Sequence, residues 1–346
     1  MRLASKMGTG PDGRLLIVGS DLASCVEAEA APTLQDALDN WSAVQPALVK
    51  QYADLNAGRA PGATPVNLAS LGAAMPRSFQ FLDASAFLTH NYILAEAWGF
   101  ERRSTLAPPL MYQGLSDRFY PPHGSVPFRS MDDEIDFEAE FAVLTDRVPL
   151  GASAAEAMGH IKLVVLLNDW SLRAFGPAEM KSGFGFIHAK PPSSMSAIAV
   201  TPDELGEAWR DCRVGLAVNV YRNGVLFGRP SGAEMSFGFH DLIAHAATTR
   251  ELCAGTVIGS GTVSNANYKV VGSGCIAEKR AIDRLNSAGE PTPYLKFNEH
   301  LRIEAFDPAG RLLFGSMDQR VSALRSNSPV GTSDPNFARP PTTAVP

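Results

Sequence analysis

Alternation of polar and apolar residues singles out one short stretch near the middle of the chain. Residues 136–144 read Asp-Phe-Glu-Ala-Glu-Phe-Ala-Val-Leu. Because side chains of a β-strand alternate between two faces, the stretch places Asp136, Glu138 and Glu140 together, opposite a face of Phe and Ala. The pattern predicts a strand that is half core and half carboxylate.

Short apolar runs joined by turn signals recur along the chain. Residues 14–18 follow an Asp-Gly turn, and Asn223-Gly224, typical of a type I′ turn, separates two further runs. Helical spacing is found in segments such as 33–58 and 90–98. This arrangement favours a mostly antiparallel, β-rich α+β fold over a doubly wound parallel sheet. No G-x-G-x-x-G sequence opens a helix after a strand, so a dinucleotide-binding fold is not supported.

Two further segments are predicted with less regular patterns. Ser153 and Glu156 form a capping box, which predicts a helix that runs towards the apolar residues 164–167 and leads to a polar cluster at 168–173. A buried element that ends in polar residues, as at 164–173, commonly delivers them to a site, although a helix cap is the simpler alternative. The second segment is a strand predicted at 275–278.

Shifts in composition divide the chain into segments. Residues 1–70 are predicted to form a small N-terminal domain or cap. The Gly/Pro-rich linker 56–65 lies near the end of this segment. The Pro-, Gly- and Ser-rich loop 113–131 is a candidate lid. Residues 326–346, in which Pro, Ser, Thr and Gly dominate, are predicted to be a disordered tail.

Composition restricts the class of protein. The 346 residues are 45% hydrophobic and carry a formal net charge of −6, which argues against general affinity for nucleic acid or an anionic membrane. The four cysteines have no C-x-x-C spacing, which suits a reducing compartment. Without a signal-peptide pattern or a run of roughly 18 apolar residues, we expect a soluble, cytoplasmic protein without a membrane span.

The carboxylate face of residues 136–140 is a candidate metal site. Neighbouring carboxylates that lose water together have raised pKa values unless a cation compensates them. Oxygen ligands suit Mg²⁺, Ca²⁺ or Mn²⁺, whereas zinc would recruit His or Cys. The alternative is an edge strand whose acidic face is solvated.

Three motifs in order resemble those of the fumarylacetoacetate hydrolase family, over roughly residues 75–322. They are the acidic strand at 136–140, Asn-Asp-Trp-Ser-Leu-Arg at 168–173 and Gly-Ser-Gly-Thr-Val-Ser at 259–264. The resemblance implies a β-rich catalytic domain over 75–322 and metal ligands at Glu138, Glu140 and Asp169.

The resemblance also assigns roles outside these motifs. Asp83 and His90 have the spacing of a metal-binding aspartate and a catalytic histidine, and Glu278 matches the glutamate that orients the histidine. Lys190 matches a lysine that contacts ligands and substrate. The other expected substrate-binding residues are Arg173, Thr262 and, in place of a family threonine, Ser194.

These roles predict a metal-dependent hydrolase that cleaves a carbon–carbon bond in a fumarylacetoacetate-like or acylpyruvate-like diketo acid. The resemblance implies a role in aromatic-compound breakdown of the tyrosine or homogentisate type, and it implies a homodimer. Decarboxylation, isomerisation or hydration of a related keto acid on the same scaffold is the alternative. A metal-binding module without catalysis is a further one, although it would not require both His90 and Glu278.

Overall fold

The computed structural model describes residues 1–8 and 10–324, so the predicted tail at 326–346 lies outside the described residues. The strands are β1 (Arg2–Lys6), β2 (Arg14–Val18), β3 (Ser24–Glu27), β4 (Thr64–Pro65), β5 (Phe81–Ala84), β6 (Met111–Gly114), β7 (His123–Phe128), β8 (Ile135–Asp136), β9 (Ala139–Thr145), β10 (Ile161–Asn168), β11 (Ser171–Leu172), β12 (Ser194–Met195), β13 (Ile198–Val200), β14 (Trp209–Arg210), β15 (Arg213–Val214), β16 (Val218–Arg222), β17 (Val225–Gly228), β18 (Val257–Gly259), β19 (His300–Ala305) and β20 (Met317–Ala323). The α-helices are α1 (Leu34–Asp39), α2 (Trp41–Asn56), α3 (Leu88–Trp98), α4 (Ala154–Ala157), α5 (Gly176–Ser182), α6 (Phe239–Ala246), α7 (Tyr268–Val271) and α8 (Ile276–Leu285). Short 3₁₀ helices cover Leu68–Ser70, Met131–Asp133, Met158–His160, Pro202–Ala208 and Gly232–Glu234.

Two sheets dominate the fold. The larger has the strand order β4-β3-β2-β1-β13-β10-β9-β18-β5-β6, with β12 also paired to β10. The smaller has the order β17-β16-β19-β20-β7. The β18–β5 and β20–β7 pairs are parallel, and the other strand pairs in these sheets are antiparallel. The predicted mostly antiparallel α+β fold is therefore confirmed.

The core covers both faces of the larger sheet. Every residue of β9 is buried. Phe141 and Val143 belong to one hydrophobic cluster, whereas Ala142 and Leu144 belong to a second cluster that includes Trp41 of α2. Strand β9 is thus held rigidly from two sides, which suits a strand that carries functional carboxylates at its start.

Residues 1–70 contribute four strands to the larger sheet rather than a separate sheet. Strand β1 pairs with β2 on one side and with β13 on the other, so that Leu3 lies opposite both Ile17 and Ala199. The Asp-Gly turn predicted before residues 14–18 closes this β1–β2 hairpin. The division of the chain near residues 70–75 stays a prediction.

Two predicted elements are wrong. The capping box of Ser153 and Glu156 is present, but it opens only the four-residue helix α4, and residues 161–168 form strand β10. A short run of apolar residues has no period that separates a buried strand from a buried helix, and pairing of β10 with β9 and β13 decides the outcome here. Residues 276–278 are the first turn of helix α8 instead of a strand, with Cys275 as N-cap.

The candidate lid at 113–131 is built into the fold. Its strand β7 pairs with β20 over six residues, and Phe119 is buried. The backbone of Tyr120 donates to the Ser193 carbonyl at 2.8 Å. These contacts fix the segment and do not support a lid. No helix in the described part of the chain is long and apolar enough to cross a lipid bilayer.

Candidate metal centre and acid–base pair

The four predicted metal ligands come together at one place on the larger sheet. Asp83 lies on β5, Glu140 on β9, Glu138 immediately before β9 and Asp169 immediately after β10. Each offers an oxygen that lies within 4.8 Å of those of the other three, and all four side chains are buried. Because β10, β9, β18 and β5 are consecutive in the sheet, three separate chain segments bring the four carboxylates together.

The glycines of the third motif make room for the carboxylates. Gly259 on β18 pairs with Asp83 on one side and Ala142 on the other. A Cβ atom at Gly259 would lie 2.2 Å from Asp83 Oδ1 and 3.1 Å from Glu140 Oε2. The backbone N–H of Gly261 donates to Glu140 Oε2 at 3.0 Å. The motif thus forms a cradle that a side chain would fill.

Two cations lie against the carboxylates. Lys190 Nζ donates to Glu138 Oε2 at 2.7 Å and to Asp169 Oδ2 at 2.5 Å. Arg173 donates to Glu138 Oε1 at 2.6 Å and to Asp136 Oδ2 at 2.9 Å. Both cations are therefore held by carboxylates, and the expected role of Arg173 in substrate binding stays a prediction.

The charges divide the cluster into two halves. Burial, followed by repulsion from Asp169, raises the pKa of Asp83 to about 8. Burial and the neighbouring Asp83 likewise raise the pKa of Glu140 well above its usual range. Burial alone would also raise the pKa of Glu138, but Lys190 and Arg173 lower it. Asp83 and Glu140 are thus the half that lacks positive charge.

The donors fit a hard divalent cation. All four are carboxylates, without His or Cys among them, as Mg²⁺, Mn²⁺ or Ca²⁺ prefers. Glu140 Oε1 is buried and has no hydrogen-bond partner among the residues that the structure describes, although buried carboxylate oxygens are normally satisfied. An ion held by the four carboxylates would satisfy this oxygen and compensate the half of the cluster that lacks positive charge.

His90 and Glu278 form a hydrogen-bonded pair beside the cluster. His90, in the first turn of α3, contacts Glu278, in the first turn of α8, with Nδ1 and Oε2 2.8 Å apart. Glu278 is completely buried, whereas the side chain of His90 is 16% exposed. Since a carboxylate accepts the proton on Nδ1, the neutral imidazole keeps Nε2 as its basic nitrogen.

The two expected substrate-binding residues Ser194 and Thr262 have different surroundings. Ser194 Oγ accepts hydrogen bonds from Trp170 at 2.8 Å and from Gln319 at 2.9 Å, and the side chain is completely buried. Its hydroxyl therefore serves the core, and its role in substrate binding stays a prediction. Thr262 is buried in the turn directly after Gly261, beside the carboxylate cradle.

Two residues that no motif indicated, Tyr112 and Ser193, contact Asp169. The hydroxyl of Tyr112 donates to Asp169 Oδ2 at 2.5 Å, and that of Ser193 donates to Asp169 Oδ1 at 2.6 Å. Lys190 Nζ lies 5.5 Å from the centre of the Tyr112 ring. Tyr112 lies opposite Asp83 in the antiparallel pair of β5 and β6, a register that no motif indicated.

Solved structures share this fold at low sequence identity. Maleylpyruvate hydrolase from Sphingobium sp. SYK-6, in complex with manganese(II) ion and pyruvate, is 16% identical, with a TM-score of 0.62, over 94% of this chain and 100% of that chain. Fumarylacetoacetate hydrolase from Exiguobacterium antarcticum is 15% identical, with a TM-score of 0.63, over 94% and 100%. A probable 2-hydroxyhepta-2,4-diene-1,7-dioate isomerase from Mycobacterium abscessus is 16% identical, with a TM-score of 0.64, over 94% and 98%. No curated protein sequence matches the chain.

Family models cover nearly all of the described chain. The model described as fumarylacetoacetate (FAA) hydrolase C-terminal matches residues 86–322, which hold His90, Lys190 and Glu278. The model described as fumarylacetoacetase N-terminal domain 2 matches residues 1–77. The chain therefore belongs to the fumarylacetoacetate hydrolase family.

Proposed function

We propose that the protein is a divalent-metal-dependent hydrolase that cleaves a carbon–carbon bond in an acylpyruvate-like or fumarylacetoacetate-like diketo acid from aromatic-compound breakdown. The observation that carries this proposal is the His90–Glu278 pair next to the cluster of four carboxylates. The two are neighbours because Cys275, the N-cap of α8, forms a β-bridge with Glu138. Hydrolysis needs both an activated water and stabilisation of the carbanion that leaves, and the two sets of residues suit these tasks.

His90 is the proposed general base. Its Nε2 would take a proton from the water that attacks the substrate carbonyl. Glu278 holds Nδ1 and stabilises the positive charge that the imidazole gains. Because Glu278 is completely buried, it keeps the imidazole in one orientation.

The remaining residues bind and stabilise charge. Asp83, Glu138, Glu140 and Asp169 would hold the metal ion, which supplies Lewis-acid stabilisation of negative charge on substrate oxygens. Lys190, held by Glu138 and Asp169, brings an ammonium group to the same place, where it would stabilise the leaving enolate. Arg173 fixes Glu138, and Thr262, beside the carboxylates, would contact the substrate.

Charge balance supports a divalent ion in particular. Lys190 and Arg173 bring two positive charges to the four carboxylates, and Arg173 is shared with Asp136. If all four carboxylates ionise to bind an ion, at least two negative charges remain for that ion to compensate. We propose Mg²⁺ or Mn²⁺, and the manganese ion and pyruvate in the Sphingobium maleylpyruvate hydrolase support this choice and an acylpyruvate substrate.

The test is loss of the ultraviolet absorbance of fumarylpyruvate, maleylpyruvate and fumarylacetoacetate, with Mg²⁺ or Mn²⁺ and with chelator. We expect cleavage of one of them that chelator abolishes and added metal restores. Metal binding without cleavage of any diketone would contradict the proposed hydrolysis.

Isomerisation is the second candidate, because the Mycobacterium abscessus neighbour is a probable isomerase with the same fold. An isomerase stabilises an enolate but has no need for attacking water. Product analysis by mass spectrometry separates the two, since only hydrolysis adds the mass of water and yields two fragments.

We also propose that the protein forms a homodimer. Met180, Phe184 and Ile187 lie within eight residues of one another, and the exposed fraction of each exceeds 60%. Apolar residues grouped in this way favour a covered surface. Light scattering should give twice the mass of the chain, and a monomer at micromolar concentration would contradict the proposal.

A further inference from the structure

Asp136 is a buried carboxylate with no place among the metal ligands or the acid–base pair. It is completely buried, and four donors surround its two oxygens. Oδ1 accepts from the backbone N–H groups of Phe137 and Ile276, both at 2.8 Å. Oδ2 accepts from the Ala277 backbone and from Arg173 Nε, both at 2.9 Å. Such complete satisfaction fixes the carboxylate in one position.

Two of these donors belong to the start of helix α8. Ile276 and Ala277 are its first two residues, whose N–H groups have no partner within the helix. Asp136 therefore caps α8 from a strand 140 residues away in the sequence. Cys275 Sγ accepts the next N–H, that of Glu278, at 3.3 Å. The first turn of α8 is thus attached to side chains at three successive residues.

The same turn carries Glu278, the partner of His90. In an α-helix, a fixed first turn also fixes the Cα atom of its third residue. On its other side Asp136 binds Arg173, which binds the metal ligand Glu138 at 2.6 Å. A continuous set of contacts therefore runs from His90 through Glu278, the start of α8, Asp136 and Arg173 to Glu138.

We propose that Asp136 is a positioning residue that sets the distance between the general base and the metal centre. Asp136 touches neither substrate nor the reacting atoms, and its effect passes through α8 and Arg173. The proposal rests on the proposed function, because it assumes that His90 activates water beside the metal ion. A displacement of about 1 Å between reacting groups costs up to about 100-fold in rate.

The main test is Asp136→Asn in the full-length, Mg²⁺-loaded protein with fumarylpyruvate. An amide has one acceptor oxygen and an NH₂ group, which would face the N–H groups that Asp136 now binds. We expect kcat to fall about 10- to 100-fold with KM and metal content nearly unchanged. Hydrogen exchange of the Ile276 and Ala277 amides should be faster than in the wild type.

Asp283→Asn is the matched control. Asp283 is also a buried carboxylate, lies on the same helix, and accepts from the Thr292 backbone at 2.9 Å and the Thr292 hydroxyl at 2.6 Å. It lies in the last turns of α8 and has no contact with the metal ligands. We expect a loss of thermal stability with kcat within about twofold of the wild type.

Asp136→Glu covers the case in which Asp136→Asn does not fold. This variant keeps the negative charge that pairs with Arg173 but moves the carboxylate by one methylene. If Asp136 only neutralises Arg173, kcat of Asp136→Glu will match the Asp283→Asn control, and the proposal is overturned. A reduced kcat with a retained metal site supports positioning.

Hydrogen exchange separates failure of this inference from failure of the proposed function. Unchanged exchange at Ile276 and Ala277 in the Asp136 variants overturns the inference whatever the substrate. If the wild type cleaves no diketo acid, the proposed function fails, while faster exchange still supports attachment of α8 by Asp136.

Discussion

At the scale of single residues, the proposed chemistry depends most directly on His90. Replacing His90 by Ala removes the proposed base but leaves the four carboxylates in place. General-base catalysis typically contributes about 10²- to 10⁴-fold, so we expect a loss of that size in kcat. Steady-state kinetics together with metal titration by calorimetry would check both parts of the prediction.

His160 provides a matched control. Its Nδ1 also contacts a carboxylate, that of Asp146 at 2.7 Å, but without a contact to the metal cluster. His160→Ala should therefore leave kcat within about twofold of the wild type. Equal turnover in His90→Ala and wild type would rule out the base.

Gly259 leaves room for the Asp83 carboxylate, and a side chain at this position should disturb metal binding. Gly259→Ala would place a Cβ atom 2.2 Å from Asp83 Oδ1, so the Asp83 carboxylate must move. We expect metal affinity to fall by at least about tenfold, measured by calorimetry.

Gly159→Ala is the control, because a Cβ atom at Gly159 has no atom within 4 Å. Metal affinity should be unchanged in this variant. Equal affinities in the two alanine variants would contradict the prediction, because they would mean that Asp83 can move without loss of metal binding.

The sequence predicted the carboxylates better than it predicted their partners. Asp83, Glu138, Glu140 and Asp169 belong to recognisable motifs or spacings, and the structure brings them together. Tyr112 could not be found in this way, since its contact with Asp169 depends on the register in which β5 and β6 pair. Motifs contain the residue types that the chemistry needs, whereas the side chains that contact those residues depend on how separate strands pair.

At the scale of secondary structure, errors arose where tertiary pairing decides the element. The eight residues of β10 are almost continuously apolar, a pattern that a buried helix could share. Helix α8 has charged residues through its middle and begins with apolar residues, and those apolar residues alone suggested a strand. Turn signals were more reliable, because Asn223 and Gly224 both have the positive φ angles of a type I′ turn.

The pairing of β1 with β13 predicts that residues 1–70 are needed for folding. Deleting them would leave β13 as an unpaired edge and would expose Leu163, Val165 and Ala199 of the second hydrophobic cluster. We expect the 71–346 fragment to be insoluble when expressed alone, as judged by fractionation of lysates.

Co-expression is the control for this prediction. Supplying residues 1–70 as a separate chain should restore soluble protein if strand pairing is what the fragment lacks. A soluble, cooperatively melting 71–346 fragment would instead show that the C-terminal part folds independently.

At the scale of the whole molecule, the carboxylates proposed to bind the metal ion also change the stability of the metal-free protein. Burial and neighbouring carboxylates raise the pKa of Glu140. This group therefore opposes folding at pH values above the ordinary pKa of a glutamate side chain. Glu138 is the opposite case, since Lys190 and Arg173 stabilise its charge. Two glutamates separated by one residue thus have opposite effects on the metal-free protein.

This contrast predicts opposite signs for two similar substitutions. At neutral pH, Glu140→Gln should raise the free energy of unfolding of the metal-free protein by at least about 1 kcal/mol, because it removes a carboxyl group whose raised pKa opposes folding at that pH. Glu138→Gln should lower it by about 3–5 kcal/mol, because it leaves Lys190 and Arg173 without their shared partner. Denaturant unfolding in the presence of chelator measures both.

Metal-dependent stabilisation completes the test. In the wild type, Mg²⁺ or Mn²⁺ at about 100 times its Kd should add about 2.7 kcal/mol to the free energy of unfolding. Both glutamine variants should lose most of this increase, since each removes a ligand of the ion. If Glu140→Gln destabilised the metal-free protein as Glu138→Gln does, the inference that positive charge is unevenly distributed over the cluster would be wrong. A full increase with metal in either variant would show that the ion binds elsewhere.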